Sequence, residues 1–281
     1  MNRKPKPPAM GCIMVILVLG VIFAFYPVWF AILASGRPGQ SLYTMNLAGM
    51  FLPINWTWAN YQYMIFESDL FLWIFNSLKV ASITAILSIV VCTTAAFAFA
   101  RFKFWGRAGG LTFMLALQTF PQLLALTAIA MILTALGLFG KWQGLVLAYT
   151  AGTLVFSTWN LKGYFDTIPI DLEEAGMIDG AGPVQSFFLI ALPLARPALA
   201  ITFLLGFLAG WGDFAFANIL VPAPSSAKLA TPALYGMANN VGIPWGQFAA
   251  GFVFVAIPTI ILFMYLQRYL QTGLTMGGVK G

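Results

Sequence analysis

Histidine is absent from these 281 residues, and the two cysteines, Cys12 and Cys92, stand far apart inside apolar runs. Those absences exclude a histidine-bearing metal site and a CxxC redox motif, and they make both cysteines small buried hydrophobes in expectation. Charge is also scarce, at 8% of residues, so no basic face with interleaved aromatics is available for nucleic acid despite a net charge of +6. No G-x-x-x-x-G-K-[ST] occurs, so the chain cannot cradle nucleotide phosphates in that way. Without histidine or paired intramembrane carboxylates, a membrane enzyme is disfavoured.

What is abundant is apolar surface. Hydrophobic residues make up 60% of the chain, and the mean hydropathy of +0.88 exceeds what a water-soluble exterior tolerates. Crossing a hydrocarbon layer of ~30 Å takes about 20 apolar residues in a helix, the simplest structure that satisfies backbone groups away from water. Six stretches qualify, at about 10–34, 71–100, 111–136, 143–162, 198–221 and 247–268. The first follows Arg3, Lys4 and Lys6, but it is too long for the apolar core of a signal peptide and lacks a clear small-residue cleavage site, so it is expected to be an uncleaved helix.

Basic residues set the expected topology. With the N-terminus in the cytoplasm, ten lysines and arginines fall inside, and only Arg37, Lys79, Lys141 and Lys228 fall outside. The expectation is therefore an all-α membrane protein of six transmembrane helices with both termini cytoplasmic. It has a tail at 1–9, a permeation domain at 10–268 containing an inner connection at 163–197, and a second tail at 269–281.

That inner connection holds "FDTIPIDLEEAGMIDGAG" (165–182), with five of the eight acidic residues of the chain, which makes it the least random charge feature in the sequence. Thr167 reads as an N-cap and Pro169 as part of a first turn, while Asp179-Gly180 and Gly182-Pro183 read as a stop and a restart. On the short helix between them Ile170, Glu174, Met177, Ile178 and Ala181 recur at helical spacing, giving a stripe of mixed apolar and acidic character. Asp171, Glu173 and Glu174 could simply favour the positive end of the helix dipole. A short helix is marginal alone in water, however, so docking against a basic and apolar groove is the alternative.

"EEAGMIDGAG" followed by "IALP" (190–193) resembles the EAA loop of inner-membrane permeases of ATP-binding-cassette importers. Glu174, Ala175, Asp179, Gly180, Ala181, Ile190, Leu192 and Pro193 match that pattern, whereas Gly176 stands where a second alanine is usual. "FNSLKVA" (75–81), "AFAFARFKFWGR" (96–107) and above all "LQRYLQTGLTMGGVKG" (266–281) are similar to the carbohydrate-specific permeases of the maltose G-subunit type. The resemblance implies a type I importer permease fold in a prokaryotic inner membrane, with no catalytic residue and no metal or cofactor held by this chain. ATP and Mg would be handled by two ATPase subunits, beside a second, F-like permease and an extracytoplasmic sugar-binding protein. It further implies that Glu173, Glu174, Ala175, Gly176, Asp179, Gly180, Ala181, Leu192 and Pro193 form a coupling helix and its support. The tail, with Gly277, Gly278 and Lys280, would reach the ATPase.

Asp213, in "LAGWGDFAFANIL", is the one acidic residue well inside an apolar run, and such groups are expensive enough to suggest function. Trp211, Asp213 and Phe214 are candidates for the translocation pathway, matching a Trp-Asn-Glu-Phe pattern of the resembled family except that Gly212 replaces Asn. Asp213 could equally pair with a neighbouring helix or cap a break. Tyr26, Trp29, Trp73, Trp142 and Tyr269 lie near run ends as interfacial anchors, while Trp56, Trp58 and Tyr61 could instead meet an outside partner. Gly206 and Gly210 form a G-x-x-x-G that would permit a subunit contact. A permease for a non-sugar polar solute and a self-sufficient secondary transporter are the competing functions.

Overall fold

The structure, a computed structural model, describes residues 7–38, 47–222, 225–238 and 244–276, and every helix named below lies among them. Two compact units share the chain, one built from the part up to Leu70 with Leu234–Ile257, the other from Phe71–Ala233 with Pro258 onward.

In the first unit α1 (Pro7–Ser35) is apolar on all sides and exposed through Met10–Phe25, as suits a helix solvated by lipid. Cys12 is on that exposed surface, so only Cys92 is buried as expected of both. Pro27 sits inside α1, which a transmembrane helix tolerates. The end of α1 is tied down by polar bonds. Asn60, on α3 (Ala59–Phe66), donates to the carbonyls of Ser35 (2.9 Å) and Arg37 (2.8 Å), while Ser35 and Tyr61 hydroxyls meet at 2.6 Å. The short α2 (Leu47–Phe51) accepts from Trp29 Nε1 at 3.0 Å and from Arg37. Trp56 packs edge-on to Trp58 and stacks on Tyr61.

The second unit carries α4 (Leu70–Arg101), α5 (Arg107–Gln118), α6 (Gln122–Ala135), α7 (Trp142–Thr167), α8 (Ile170–Ile178), α9 (Pro183–Leu194), α10 (Arg196–Gly212) and α11 (Ala215–Leu220). α12 (Ala230–Ala238) and α13 (Trp245–Met276) complete the described helices. By length and composition α1, α4 and α13 can each cross a membrane, and the bent pairs α5–α6 (101°) and α9–α10 (80°) raise the candidates from three to five.

α7 is the exception to the expected six. It is 26 residues long, but Thr150, Ser157 and Thr158 are buried in it, and the helix packs most extensively on α10. A helix surrounded by protein need not be as apolar as one facing lipid. The predicted run at 111–136 is broken at 119–121, ahead of Pro121, and that at 198–221 is broken at Asp213 and Phe214.

Among the described residues two apolar cores hold this unit. One joins Val80 of α4, Leu126 and Leu133 of α6, Leu145 and Tyr149 of α7, and Ala217 and Leu220 of α11. The other joins Cys92 and Phe97 of α4 to Leu161 and Phe165 of α7 and to Ala191, Ala195 and Ala198 around the α9–α10 bend. Gly206 and Gly210 do not offer themselves to another subunit. A Cβ at either would lie 2.8 Å from a backbone Cα of α4, Ala85 or Ala81, so the G-x-x-x-G seats α10 on α4 within the chain.

Candidate functional site

The acidic stretch does fold as a short helix, α8, with boundaries one step from those expected. α7 runs on through Thr167, whose hydroxyl donates back to Tyr164 O (2.7 Å) instead of capping α8. Pro169 is the residue before the first turn, not within it, and its extended backbone separates the two helices. At the far end Gly180 adopts φ +93°, a left-handed conformation that L side chains rarely adopt. The chain restarts at Pro183, and Gly182 N–H donates to Gln185 Oε1 at 3.0 Å.

Its two glutamates face opposite ways. Glu173 is turned inward, where Arg101 Nε and Nη2 each lie 2.8 Å from its Oε1. Arg101 Nη2 also donates to Ile168 O (3.0 Å), at the joint between α7 and α8. Glu174, Ala175 and Asp179 are exposed, together with Ile170, Met177 and Ile178. The mixed stripe read from the sequence therefore faces outward.

Behind α8, the IALP motif supplies its support. Pro193 has no N–H for the carbonyl four residues back, and the helix widens ahead of it into a π turn over Phe187–Ala191, with Leu192 N–H reaching Phe187 O. The turn places Ile190 against Gly176, where an added Cβ would lie 2.3 Å from Ile190 Cδ1. Leu192 and Pro193 are half-buried. The smallness of Gly176 is thus used within the chain, against α9.

The second site is a cavity of about 600 Å³ formed by the α5–α6 break, α7, α10 and the residues after it. Gln122, Tyr149, Thr153 and Asp213 bring polar groups to its wall, and Phe120 and Phe216 bring aromatic ones. Tyr149 Oη donates to Asp213 Oδ2 at 2.9 Å, and the same oxygen accepts Ala217 N–H at 3.1 Å. Asp213 therefore both caps α11 and lines the cavity. Trp211 and Phe214, expected beside it, are not in the lining. Trp211 is buried, stacked on Phe207 at 5.4 Å, and its carbonyl accepts Thr231 Oγ1. Sequence reasoning missed Tyr149 and Gln122, whose residue types are unremarkable in an apolar helix. Gly277, Gly278 and Lys280 lie outside the described residues.

Residues 89–276 match the family described as "Binding-protein-dependent transport system inner membrane component". The chain belongs to that family. It is an inner-membrane, multi-pass, non-catalytic component of an ABC importer. Among its relatives, the galactooligosaccharides transport system permease protein GanQ of Bacillus subtilis is 35% identical, over 95% of this chain and 94% of that protein. The maltose/maltodextrin transport system permease protein MalG of Escherichia coli K12 is 36% identical over 95% and 94%. The fold is that of a chain in the crystal structure of a bacterial ABC transporter involved in the import of the acidic polysaccharide alginate. That likeness has a TM-score of 0.79 at 20% identity, over 96% of this chain and 99% of that one.

Proposed function

We propose that this chain is the maltose G-type permease of an ATP-driven importer of a neutral oligosaccharide, coupled to its ATPases through the outward face of α8. The observation that carries the reading is that face: Ile170, Glu174, Met177 and Ile178 are exposed on a short helix whose other side is anchored by Glu173 and Gly176. A nine-residue helix that exposes apolar side chains next to a carboxylate fits a groove with apolar walls and a basic residue, and Glu174 is the group that would pair there.

Six crossings follow if α7 is counted with α1, α4, α13 and the two bent pairs. At 1.5 Å per residue its 26 residues span about 39 Å, enough for a bilayer. Both termini and α8 then share the cytoplasmic side, where the excess of lysine and arginine also lies. Two ATPase subunits, a second permease and an extracytoplasmic binding protein complete the machine. ATP is bound and hydrolysed by the partners.

The cavity supports a sugar as cargo. A volume of about 600 Å³ is that of a small-molecule site, and carboxylate, carboxamide and hydroxyl groups beside aromatic rings suit a polyhydroxylated ring with polar edges and apolar faces. Relatives named for maltodextrin and galactooligosaccharide transport point to the same class.

The test is to express the chain with its genomic neighbours, purify it by affinity in mild detergent, and identify bound subunits by mass spectrometry while assaying ATP hydrolysis. A stoichiometric ATPase pair with a second permease is expected. Recovery of this chain alone, under conditions that preserve complexes, contradicts the reading.

A further inference from the structure

We propose that Arg101 is a positioning residue that makes α4 move together with α8, so that displacement of the coupling helix is delivered to the wall of the cavity. The proposal rests on the coupling role given to α8 above.

Arg101 is the last residue of α4, and Glu173 lies 72 positions later in α8. Both side chains are withdrawn from solvent, at 8% and 5% exposure. An ion pair in such a place is a poor device for stability, because apolar side chains of similar volume commonly serve as well or better. What it does supply is direction. The guanidinium is a rigid planar fork, and here it grips three elements at once: its own helix, the carbonyl of Ile168 at the α7–α8 joint, and the carboxylate on α8. Lysine could not reproduce that set of bonds with one ammonium on a flexible stem.

Anchored by Glu173 on one turn and by Gly176 against Ile190 on the next, α8 cannot rotate freely. Moving it must either carry Arg101 along or strand two buried charges, and the second course is far more costly. α4 in turn reaches the cavity. Ser88 of α4 meets Thr153 of α7 at 2.8 Å, and Thr153 lines the wall. Gly206 and Gly210 of α10 rest on the α4 backbone at Ala85 and Ala81, and α10 supplies Leu208 and Ala209 to the same wall. The contacts form a continuous packed route from α8 to the cavity.

The test uses the assembled transporter carrying Cys12→Ser, Cys92→Ala and Ala151→Cys, the last placing a thiol on the cavity wall. Maleimide labelling is measured without nucleotide and after trapping with ATP and vanadate, and bound ATPase is quantified in each sample. With Arg101 and Glu173 intact, the labelling rate should change at least tenfold on trapping. Arg101→Gln and Glu173→Gln should each bind ATPase normally yet change less than twofold, and Arg101→Lys, which keeps the charge but not the planar fork, should fall between them and the unaltered pair. The exchange Arg101→Glu with Glu173→Arg should recover part of the change, because it restores the ion pair while a glutamate at 101 has no donor for the Ile168 carbonyl.

Three results overturn the proposal. Single variants that keep the full change show the pair to be dispensable. Single variants that lose ATPase in proportion to the change show it to be structural only. An exchange variant that recovers nothing shows the two charges acting separately. Failure of the unaltered complex to assemble with ATPase is a different result, which removes the coupling role of α8 and this proposal with it.

Discussion

The hydroxyl of Tyr149 donates a 2.9 Å hydrogen bond to Asp213, joining the first half of α7 to the break between α10 and α11 at the wall of the cavity. One carboxylate oxygen thereby serves as tyrosine acceptor, cap of α11 and part of a polar surface in an otherwise apolar region.

Removing the donor separates these roles. Tyr149→Phe should lower stability by about 1–2 kcal/mol, the range for a partly buried bond of this kind, and leave the cap intact. Thermal unfolding in detergent measures the loss. Asp213→Asn should leave the amount of folded protein near normal and reduce uptake per molecule. Normal uptake per molecule with less folded protein would restrict Asp213 to capping.

At Gly206 and Gly210 the neighbour is backbone. Gly206→Ala and Gly210→Ala should each cost about 1–3 kcal/mol by forcing α10 away from α4, and far less membrane-inserted protein should survive the double variant. Yield and melting temperature in detergent report it. A tolerant Gly210→Ala would mean that α10 does not sit this close to Ala81.

Gly180 has open space around it but a backbone that only glycine adopts easily. Gly180→Ala should therefore leave expression unchanged, since the strain of about 1–2 kcal/mol falls on an exposed turn, and should reduce ATP-driven transport by redirecting the segment after α8. Gly180→Asn should be milder, because asparagine tolerates the left-handed region better.

Reversing the exposed charge tests docking without disturbing the fold. Glu174→Lys should abolish ATPase association and uptake while the amount of chain in the membrane stays constant, measured by quantitative blotting and co-purification. Unchanged association would assign the docking elsewhere on α8.

Local features were the most legible in the sequence. The stop at Gly180, the restart at Pro183 and the mixed stripe of α8 follow from short-range rules, and the structure reproduces them and turns the stripe outward. Thr167 was misread because a threonine can bond backward to its own helix as readily as it caps the next one. Contacts between distant residues were not legible. Nothing in the periodicity pairs Arg101 with Glu173 or Tyr149 with Asp213, which lie 72 and 64 residues apart. The G-x-x-x-G announced a close approach but not its partner, and α4 of the same chain proved to fill that place. The apolar count likewise could not foresee that α7, packed on α10, would be the least lipid-like helix of the expected six.

The most direct measurement places a photo-crosslinking amino acid at Ile178, the most exposed apolar side chain of α8, with a second at Ile86 on the exposed surface of α4 as control. Irradiation in the membrane of the native assembly should join position 178 to an ATPase subunit, with a yield that changes when ATP is trapped, and should not do so from position 86. Reaction of position 178 with lipid or water alone, in membranes where the ATPase is present, would contradict the account.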